Sequence, residues 1–244
     1  MAHLGKSLLI LLSLLLIWQA VIELCHLPDY ILPQPLAVLV SLIQNHTLLF
    51  QSLLPTAIET ISSLIAGTLC GVIAAVLLIY VSPLRAWFLP ILILSQAIPT
   101  FVIAPLFVLW FGYGMLSKIA IGTLMVFFPI TSTFYDGLRR TPIAFLHLAK
   151  TMQATRTRLF WHIQLPNALP SLASGLRIAA VLAPAAALVG EWVGASRGLG
   201  YLMLNANARM QIDLMFAALL FMIGLTLTLY FIINAILKKW IWWP

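Results

Sequence analysis

Few side chains in this sequence could carry out chemistry, and those few are far apart along the chain. The chain is 63% hydrophobic and 8% charged. His147 and His162 have no cysteine or carboxylate partner at metal-ligand spacing, so neither predicts a metal site. No nucleophile and base stand together, and no phosphate-binding loop is complete. The sequence therefore predicts a protein that is not an enzyme and that has no nucleotide or cofactor site of its own.

Two carboxylates lie within apolar stretches, where charged side chains are otherwise rare. A carboxylate inside a membrane is costly, and it is usually functional or paired. Glu59 lies near one end of its apolar stretch, where water could solvate it. Glu191 follows Gly190 and precedes Trp192, and two interpretations stay open: it faces a transport path, or it pairs with Arg197.

The most polar part of the chain is the segment His147–Pro166. Together with the residues just before it, this segment holds five of the 13 lysines and arginines. They are Arg139, Arg140, Lys150, Arg156 and Arg158. A basic, structured loop in an apolar chain indicates a surface that is presented to a partner.

The pattern inside this segment predicts two short helices. Thr141-Pro142 is typical of a helix start, with a hydroxyl cap and proline at the first position. Thr155 can cap the second helix, and Leu165-Pro166 is expected to end it. The apolar positions are Phe145, Leu148, Ala149 and Met152 in the first helix and Leu159, Phe160 and Ile163 in the second. Two interpretations fit an apolar face of this kind: it fills a groove on another protein, or it lies on the membrane surface.

The elements that position this loop are membrane spans. Windows of about 20 apolar residues predict an all-α polytopic membrane protein with six transmembrane helices. They lie at roughly 7–25, 56–80, 87–110, 115–135, 169–192 and 213–237. With the N-terminus inside, ten basic residues fall on the cytoplasmic side and three, Lys118, Arg197 and Arg209, fall outside. This asymmetry predicts cytoplasmic N- and C-termini.

Interruptions in the apolar stretches suggest where a path could run. Residues 28–55 contain several prolines and predict an external stretch with a short helix near Leu36–Ile43. Three prolines, Pro90, Pro99 and Pro105, fall in the third span. Each lacks a backbone donor and kinks or breaks its helix. A broken helix at membrane depth must face protein or a water-filled path.

The spacing of the polar segment resembles the loop E-A-A-x3-G-x9-I-x-L-P of binding-protein-dependent ABC importer permeases. Ala149, Ile163, Leu165 and Pro166 match, and His147, Leu148 and Gln153 differ. Further strings resemble the nitrate, sulfonate, taurine and thiamine-pyrimidine branch of that family: Gln96–Pro99, Ala104–Phe107, Trp110–Gly114, Phe127–Pro129, Gly137–Arg139, Gly175–Arg177 and Gly190-Glu191. The resemblance covers about residues 30–235.

The resemblance implies a type I ABC importer permease fold, with residues 1–244 as one permease domain and 141–166 as its cytoplasmic coupling loop. It implies ATPase-coupling roles for His147, Leu148, Ala149, Lys150, Met152, Gln153, Ala154, Ile163, Leu165 and Pro166. It implies a translocation path at Gln96, Pro99, Pro105 and Glu191. Where the family has glycine, Gln153 would have to adopt a left-handed conformation at a cost of roughly 1 kcal/mol.

The function implied is ATP-driven import of a small solute across the bacterial inner membrane. The implied partners are an ABC ATPase subunit that binds ATP and Mg²⁺, a periplasmic or lipid-anchored solute-binding protein, a second copy of the permease and membrane lipid, with no nucleic acid. Trp110–Lys118 and Gly190–Met203 look most like permeases for thiamine-precursor pyrimidines. Taurine, alkanesulfonate or nitrate are the alternative substrates, and a secondary transporter without an ATPase is the alternative class.

Overall fold

The computed structural model describes residues 2–241, without the side chains of residues 2–8, 11, 82, 93, 95 and 96. Within these residues the secondary structure is helical. The helices are α1 Ala2–Cys25, α2 Pro35–Gln44, α3 His46–Tyr80, α4 Ser82–Ala97, α5 Thr100–Phe111, α6 Met115–Arg139, α7 Ile143–Thr151, α8 Arg156–Leu159, α9 Leu165–Gly194, α10 Leu199–Ala208 and α11 Ile212–Trp240. A π-helical turn, Phe160–Gln164, joins α8 to α9.

Among the described residues, four helical stretches are long and apolar enough to cross a membrane: His46–Tyr80, Met115–Arg139, Arg156–Gly194 and Ile212–Trp240. They contain the predicted spans 56–80, 115–135, 169–192 and 213–237. The first predicted span, 7–25, lies within α1, which has 24 residues. The short helix expected near Leu36–Ile43 is α2. However, residues 46–55 are not irregular, because α3 begins at His46 and runs for 35 residues.

The third predicted span, 87–110, is not one helix. It divides into α4 and α5, with Ile98 in an extended conformation between them and Pro99 as the residue before the first turn of α5. Proline has no N–H group and disfavours the helical conformation for the residue before it, which explains the break at this point. Pro90 and Pro105 lie inside helices that continue past them. Of the three prolines that could break this span, Pro99 is therefore the one at which the helix is interrupted.

By its internal contacts the chain divides into two compact units. The first contains the residues up to Thr56 together with Ser196–Gly224. In this unit the Leu199 amide donates a 2.9 Å hydrogen bond to the buried Thr56 hydroxyl. The rings of Phe50 and Phe221 meet edge to face, with centroids 5.1 Å apart. Leu49 and Val38 are fully buried in the monomer.

The second unit contains Ala57–Ala195 and the residues from Leu225 onward. In it, α3 packs closely against α6 through glycines. A Cβ atom on Gly67 would come within 2.7 Å of Val126 Cγ1, and one on Gly71 within 2.9 Å of Ile130 Cγ2. Gly67 and Gly71, four positions apart, thus form a packing motif, since small residues let membrane helices approach closely.

Helices α6 and α9 are in similarly close contact. A Cβ atom on Gly175 of α9 would meet the Thr133 hydroxyl and would lie 3.2 Å from the Pro129 carbonyl oxygen of α6. The face that α9 buries is rich in alanine: Ala179, Ala180, Ala183, Ala186 and Ala187 have no accessible surface. Helices α3, α6 and α9 therefore form one tightly packed group, which we call the α3–α6–α9 block.

Candidate functional site

The 141–166 loop joins α6 to α9, and its first half ends in a defined helix cap. Helix α7 spans Ile143–Thr151, and Gln153 beyond it has φ +53°. The Gln153 amide donates to the Lys150 carbonyl oxygen at 3.0 Å, and the Ala154 amide donates to the Ala149 carbonyl oxygen at 2.9 Å. These two bonds define a Schellman motif, which places its left-handed residue one position beyond the cap. Gln153 thus adopts the conformation that the family's glycine implied.

One local expectation for this loop is wrong. Thr141 does not cap α7, because its hydroxyl donates a 3.0 Å hydrogen bond back to the Leu138 carbonyl oxygen of α6. The N-cap position of α7 belongs to Pro142, which offers no side-chain acceptor. Thr141 is buried. Its side chain stabilises the C-terminal end of α6 and does not cap α7.

The second half of the loop begins as expected and ends differently. The Thr155 hydroxyl accepts a 3.4 Å hydrogen bond from the Arg158 amide and so caps α8. Leu165-Pro166 does not end this helix, because the backbone continues through the π-helical turn into α9. Proline is tolerated in the first turn of a helix, where its missing donor would be unpaired in any case. The chain from Arg156 to Gly194 is therefore one uninterrupted helical stretch of 39 residues.

The apolar stripe of α7 is divided between the interior and the surface. Ala149 is 3% exposed, while Phe145, Leu148 and Met152 are 49%, 54% and 73% exposed. His147, Lys150 and Gln153 are also exposed, and Ala154 is half-buried. Ala149 is thus buried, and the exposed surface of α7 is formed by its neighbours.

The two halves of the loop meet at a shallow groove of about 280 Å³. Phe145 of α7 lines it together with His162, Ile163, Pro166 and Asn167. Ile163, Leu165 and Pro166 are each half-buried. The structure therefore brings two of the motif positions, Ile163 and Pro166, next to α7.

The second half of the loop is anchored in the α3–α6–α9 block. Phe160 is 7% exposed and belongs to the apolar cluster that includes Leu78 of α3 and Phe134 of α6. The Phe160 ring also lies 5.7 Å from the ring of Tyr80, at the end of α3. The second half of the loop is thereby packed directly against the spans.

The helix break between α4 and α5 opens on a cavity of about 240 Å³. Its described lining residues are uncharged: Ile98, Pro99, Thr100, Ile103, Leu124, Met125 and Leu182. Of the four residues predicted for a path, Pro99 lines this cavity. Pro105 is exposed on α5, and Glu191 is buried elsewhere. The backbone of Gln96 lies in α4, and its side chain is outside the described part.

A buried charged cluster joins three helices of the block. The Lys118 ammonium group of α6 donates a hydrogen bond of 2.5 Å to Glu59 Oε1 of α3. The two side chains are 8% and 1% exposed, so Glu59 is not solvated as the sequence suggested. Glu191 of α9 is 1% exposed, and its carboxyl group lies beside that of Glu59. Gly190 beside it lies against the aliphatic stem of Lys118, because an added Cβ would come within 3.3 Å of it.

The role of Lys118 is the main feature that the sequence interpretation missed. The sequence predicts Lys118 as one of three basic residues on the outer side, whereas the structure buries its side chain in an ion pair. One signal could have found the pairing: in a chain with so few charges, Glu59 and Lys118 each lie within an apolar span, and burial there requires a partner.

These features define a class of protein before any comparison is made: a helical membrane subunit whose spans are joined by a structured, exposed polar loop. The family "binding-protein-dependent transport system inner membrane component" matches residues 67–242. The chain belongs to this family. It is the permease subunit of an ABC importer, and the alternative class of secondary transporter is set aside.

Particular relatives agree with this assignment. The chain is 54% identical to a probable ABC transporter permease protein of Haemophilus influenzae, with 97% of both chains covered. It is 40% identical to the formylaminopyrimidine transport permease protein ThiX of Halalkalibacterium halodurans, over 79% of this chain and 77% of that protein. The inward-facing methionine transporter MetNI has the same fold, with a TM-score of 0.70 at 21% identity over 80% of this chain and 97% of that one.

Proposed function

We propose that this permease moves a small, neutral aminopyrimidine, delivered by an external binding protein, and that an ABC ATPase drives the movement through the 141–166 loop. The observation that carries this proposal is the loop itself. Its exposed apolar and basic residues surround a fixed turn, and its second half is embedded in the spans through Phe160. A displacement of the loop can therefore reach the helices that enclose the solute.

The coupling surface consists of His147, Leu148, Lys150, Met152 and Gln153, which are exposed. The turn between the two halves is stabilised by Ala149 and Ala154. In the second half of the loop, the proposed coupling residues are Ile163, Leu165 and Pro166. ATP and Mg²⁺ belong to the partner ATPase in this proposal. We further propose a pair of permeases acting as a homodimer, each with residues 1–244 as one functional domain and with both termini in the cytoplasm of the bacterial cell.

The proposed path runs along the cavity at the α4–α5 break. The last carbonyl groups of one helix and the first amide groups of the next have no partner inside their own helices. Such groups can hydrogen-bond the amino and ring nitrogen groups of a pyrimidine. Pro99 lies at this break and lines the cavity, and we place Gln96 and Pro105 along the same path because they belong to the two helices that the break separates.

The choice of a neutral pyrimidine rests on two observations. The described lining of the cavity contains no charged residue, and a buried charge without a counter-charge is strongly unfavourable. The relative named for formylaminopyrimidine transport is 40% identical. Taurine, alkanesulfonates and nitrate carry charges, and the described lining has no side chain of opposite charge.

The test of coupling separates the surface of the loop from its interior. Leu148→Asp and Met152→Asp place a charge on exposed positions, so we expect a folded permease that no longer retains the ATPase during purification. Met210→Asp is the matched control, because Met210 is 60% exposed and lies outside the loop. Retention of the ATPase by both loop variants would contradict the proposal.

The test of the substrate uses the external binding protein. Its purification and calorimetric titration with an aminopyrimidine, taurine and nitrate measures the specificity directly. We expect binding of the pyrimidine alone. Binding of taurine or nitrate in its place would assign the transporter to the alternative substrates.

A further inference from the structure

The charged cluster of Glu59, Lys118 and Glu191 lies at the end of the α3–α6–α9 block that is opposite the 141–166 loop. Lys118 is in the first turn of α6, whereas the loop follows the last residue of that helix. Glu191 is in the last turn of α9, whereas the loop precedes the first. From Lys118 to Arg139, α6 rises about 30 Å at roughly 1.5 Å per residue. The cluster and the loop are therefore at the two ends of one body.

Between these ends the helices of the block are in close contact at several glycines. Gly67, Gly71 and Gly175 sit where a single added carbon would collide with a neighbouring helix. Close-packed interiors transmit displacement rather than absorb it. Near the loop, Phe160 is buried in the cluster that joins α3 and α6. The remaining requirement for a rigid body is a fastening at the far end, where helix ends otherwise separate most easily.

The charged cluster has the properties of such a fastening. It contains one residue from each helix, and Lys118 and Glu59 are joined at 2.5 Å away from water. Breaking a buried pair by moving one partner away leaves an uncompensated charge, which is strongly unfavourable. Gly190 lies within close contact of the Lys118 stem, so the α9 backbone is held against α6 beside the ion pair.

We propose that Glu59, Lys118 and Glu191 are positioning residues for transport: they fasten α3, at a point inside that helix, to the far ends of α6 and α9, so that a displacement imposed at the 141–166 loop moves the block as one body. This rests on the proposed coupling of the loop to an ATPase. Without the fastening, α3 separates from the far ends of α6 and α9 when the loop moves, and ATP is hydrolysed with less solute transported.

The test compares the number of solute molecules transported per ATP in proteoliposomes that hold the complete transporter and radiolabelled formylaminopyrimidine. Glu59→Leu/Lys118→Met removes both charges and leaves neither without a partner. Glu59→Lys/Lys118→Glu restores a pair in the reverse sense. Ser174→Ala, at an exposed position of α9, is the control. All values are normalised to the amount of assembled complex.

We expect the apolar pair to retain the ATPase and to transport several-fold fewer solute molecules per ATP, and the reversed pair to recover most of the ratio. An unchanged ratio in the apolar pair would overturn the proposal. So would ATP-independent leakage of solute, because that result identifies the cluster as a gate that opens. If the apolar pair does not assemble, the reversed pair decides: a normal ratio in its assembled complex supports the proposal, whereas a low ratio overturns it. Failure of both to assemble would restrict the cluster to folding and would also overturn it.

A failure of the proposed function itself can be told apart from a failure of this inference. It would appear in the unaltered transporter as absence of ATP-driven uptake, before any variant is compared. Glu191→Gln adds a separate measurement, because it keeps the size and hydrogen-bonding capacity of the side chain while the Glu59–Lys118 pair stays intact. We expect a smaller fall in the transport ratio than in the apolar pair. A complete loss of transport with full assembly would overturn the positioning role of Glu191 and indicate a direct role in the path.

Discussion

The Lys118 ammonium group donates a 2.5 Å hydrogen bond to Glu59 across 59 positions of sequence, and both side chains are buried. The spans contain few charged groups, and this contact is an ion pair that joins α6 to α3. Its strength depends on both partners being present, because each ion compensates the other in surroundings that water does not reach.

Single and double substitutions of this pair should therefore differ in stability. Lys118→Met leaves the Glu59 carboxylate buried without its cation, and we expect a loss of roughly 3–5 kcal/mol. Glu59→Leu/Lys118→Met removes both charges and should be less destabilising than the single change. Thermal unfolding of the purified permease measures the difference, with exposed Lys238→Met as control. Equal losses in the single and double variants would contradict the ion pair's importance.

The left-handed conformation of Gln153 predicts a stabilising substitution. Its φ of +53° is strained for a residue with a Cβ, so Gln153→Gly should stabilise the loop by about 1 kcal/mol. Hydrogen exchange at the end of α7 measures this directly. Gln164→Gly is the matched control, because Gln164 has helical angles and glycine there should be destabilising. Slower exchange in both variants, or in neither, would argue against the strain.

Close packing of α3 against α6 predicts opposite tolerance at two glycines. Gly71→Leu must displace Ile130, whose Cγ2 atom would lie 2.9 Å from the new Cβ, and should destabilise the permease by about 1–3 kcal/mol. Gly224→Leu should be tolerated, because no atom lies within 4 Å of its added Cβ. The yield of folded protein and its thermal midpoint compare the two. Similar behaviour of both variants would show that the α3–α6 contact is looser than described.

The predicted orientation can be measured with single cysteines. Arg156 and Lys239 are exposed, and the distribution of basic residues predicts that both lie in the cytoplasm. After Cys25 and Cys70, which are exposed free thiols, are replaced by serine, Arg156→Cys and Lys239→Cys should resist an impermeant thiol reagent in intact cells. Both should react in inverted vesicles. Labelling of either residue from outside would contradict the orientation.

The sequence predicted part of the structure of the 141–166 loop because the signals for it are local. Ala149, Ile163, Leu165 and Pro166 indicated the loop, and the Thr155 cap and the left-handed turn at Gln153 are properties of neighbouring residues. The buried position of Ala149 could not be read in this way. The stripe that contains it looks uniform along α7, and only contacts with the rest of the loop decide which members of the stripe face inward.

What the sequence by itself determined is the class of molecule. Long apolar stretches require helical spans, since a backbone inside a membrane must satisfy its own hydrogen bonds, and Pro99 marks where one of them breaks. Only the tertiary structure decided that Lys118 pairs with Glu59, that Glu191 joins them, and that α8 continues into α9 past Pro166. These outcomes depend on which residues, distant along the chain, become neighbours, and apolar periodicity does not specify that choice. The physical reason is that burial constrains each charge to have a partner, whereas packing of the helices determines which partner it has.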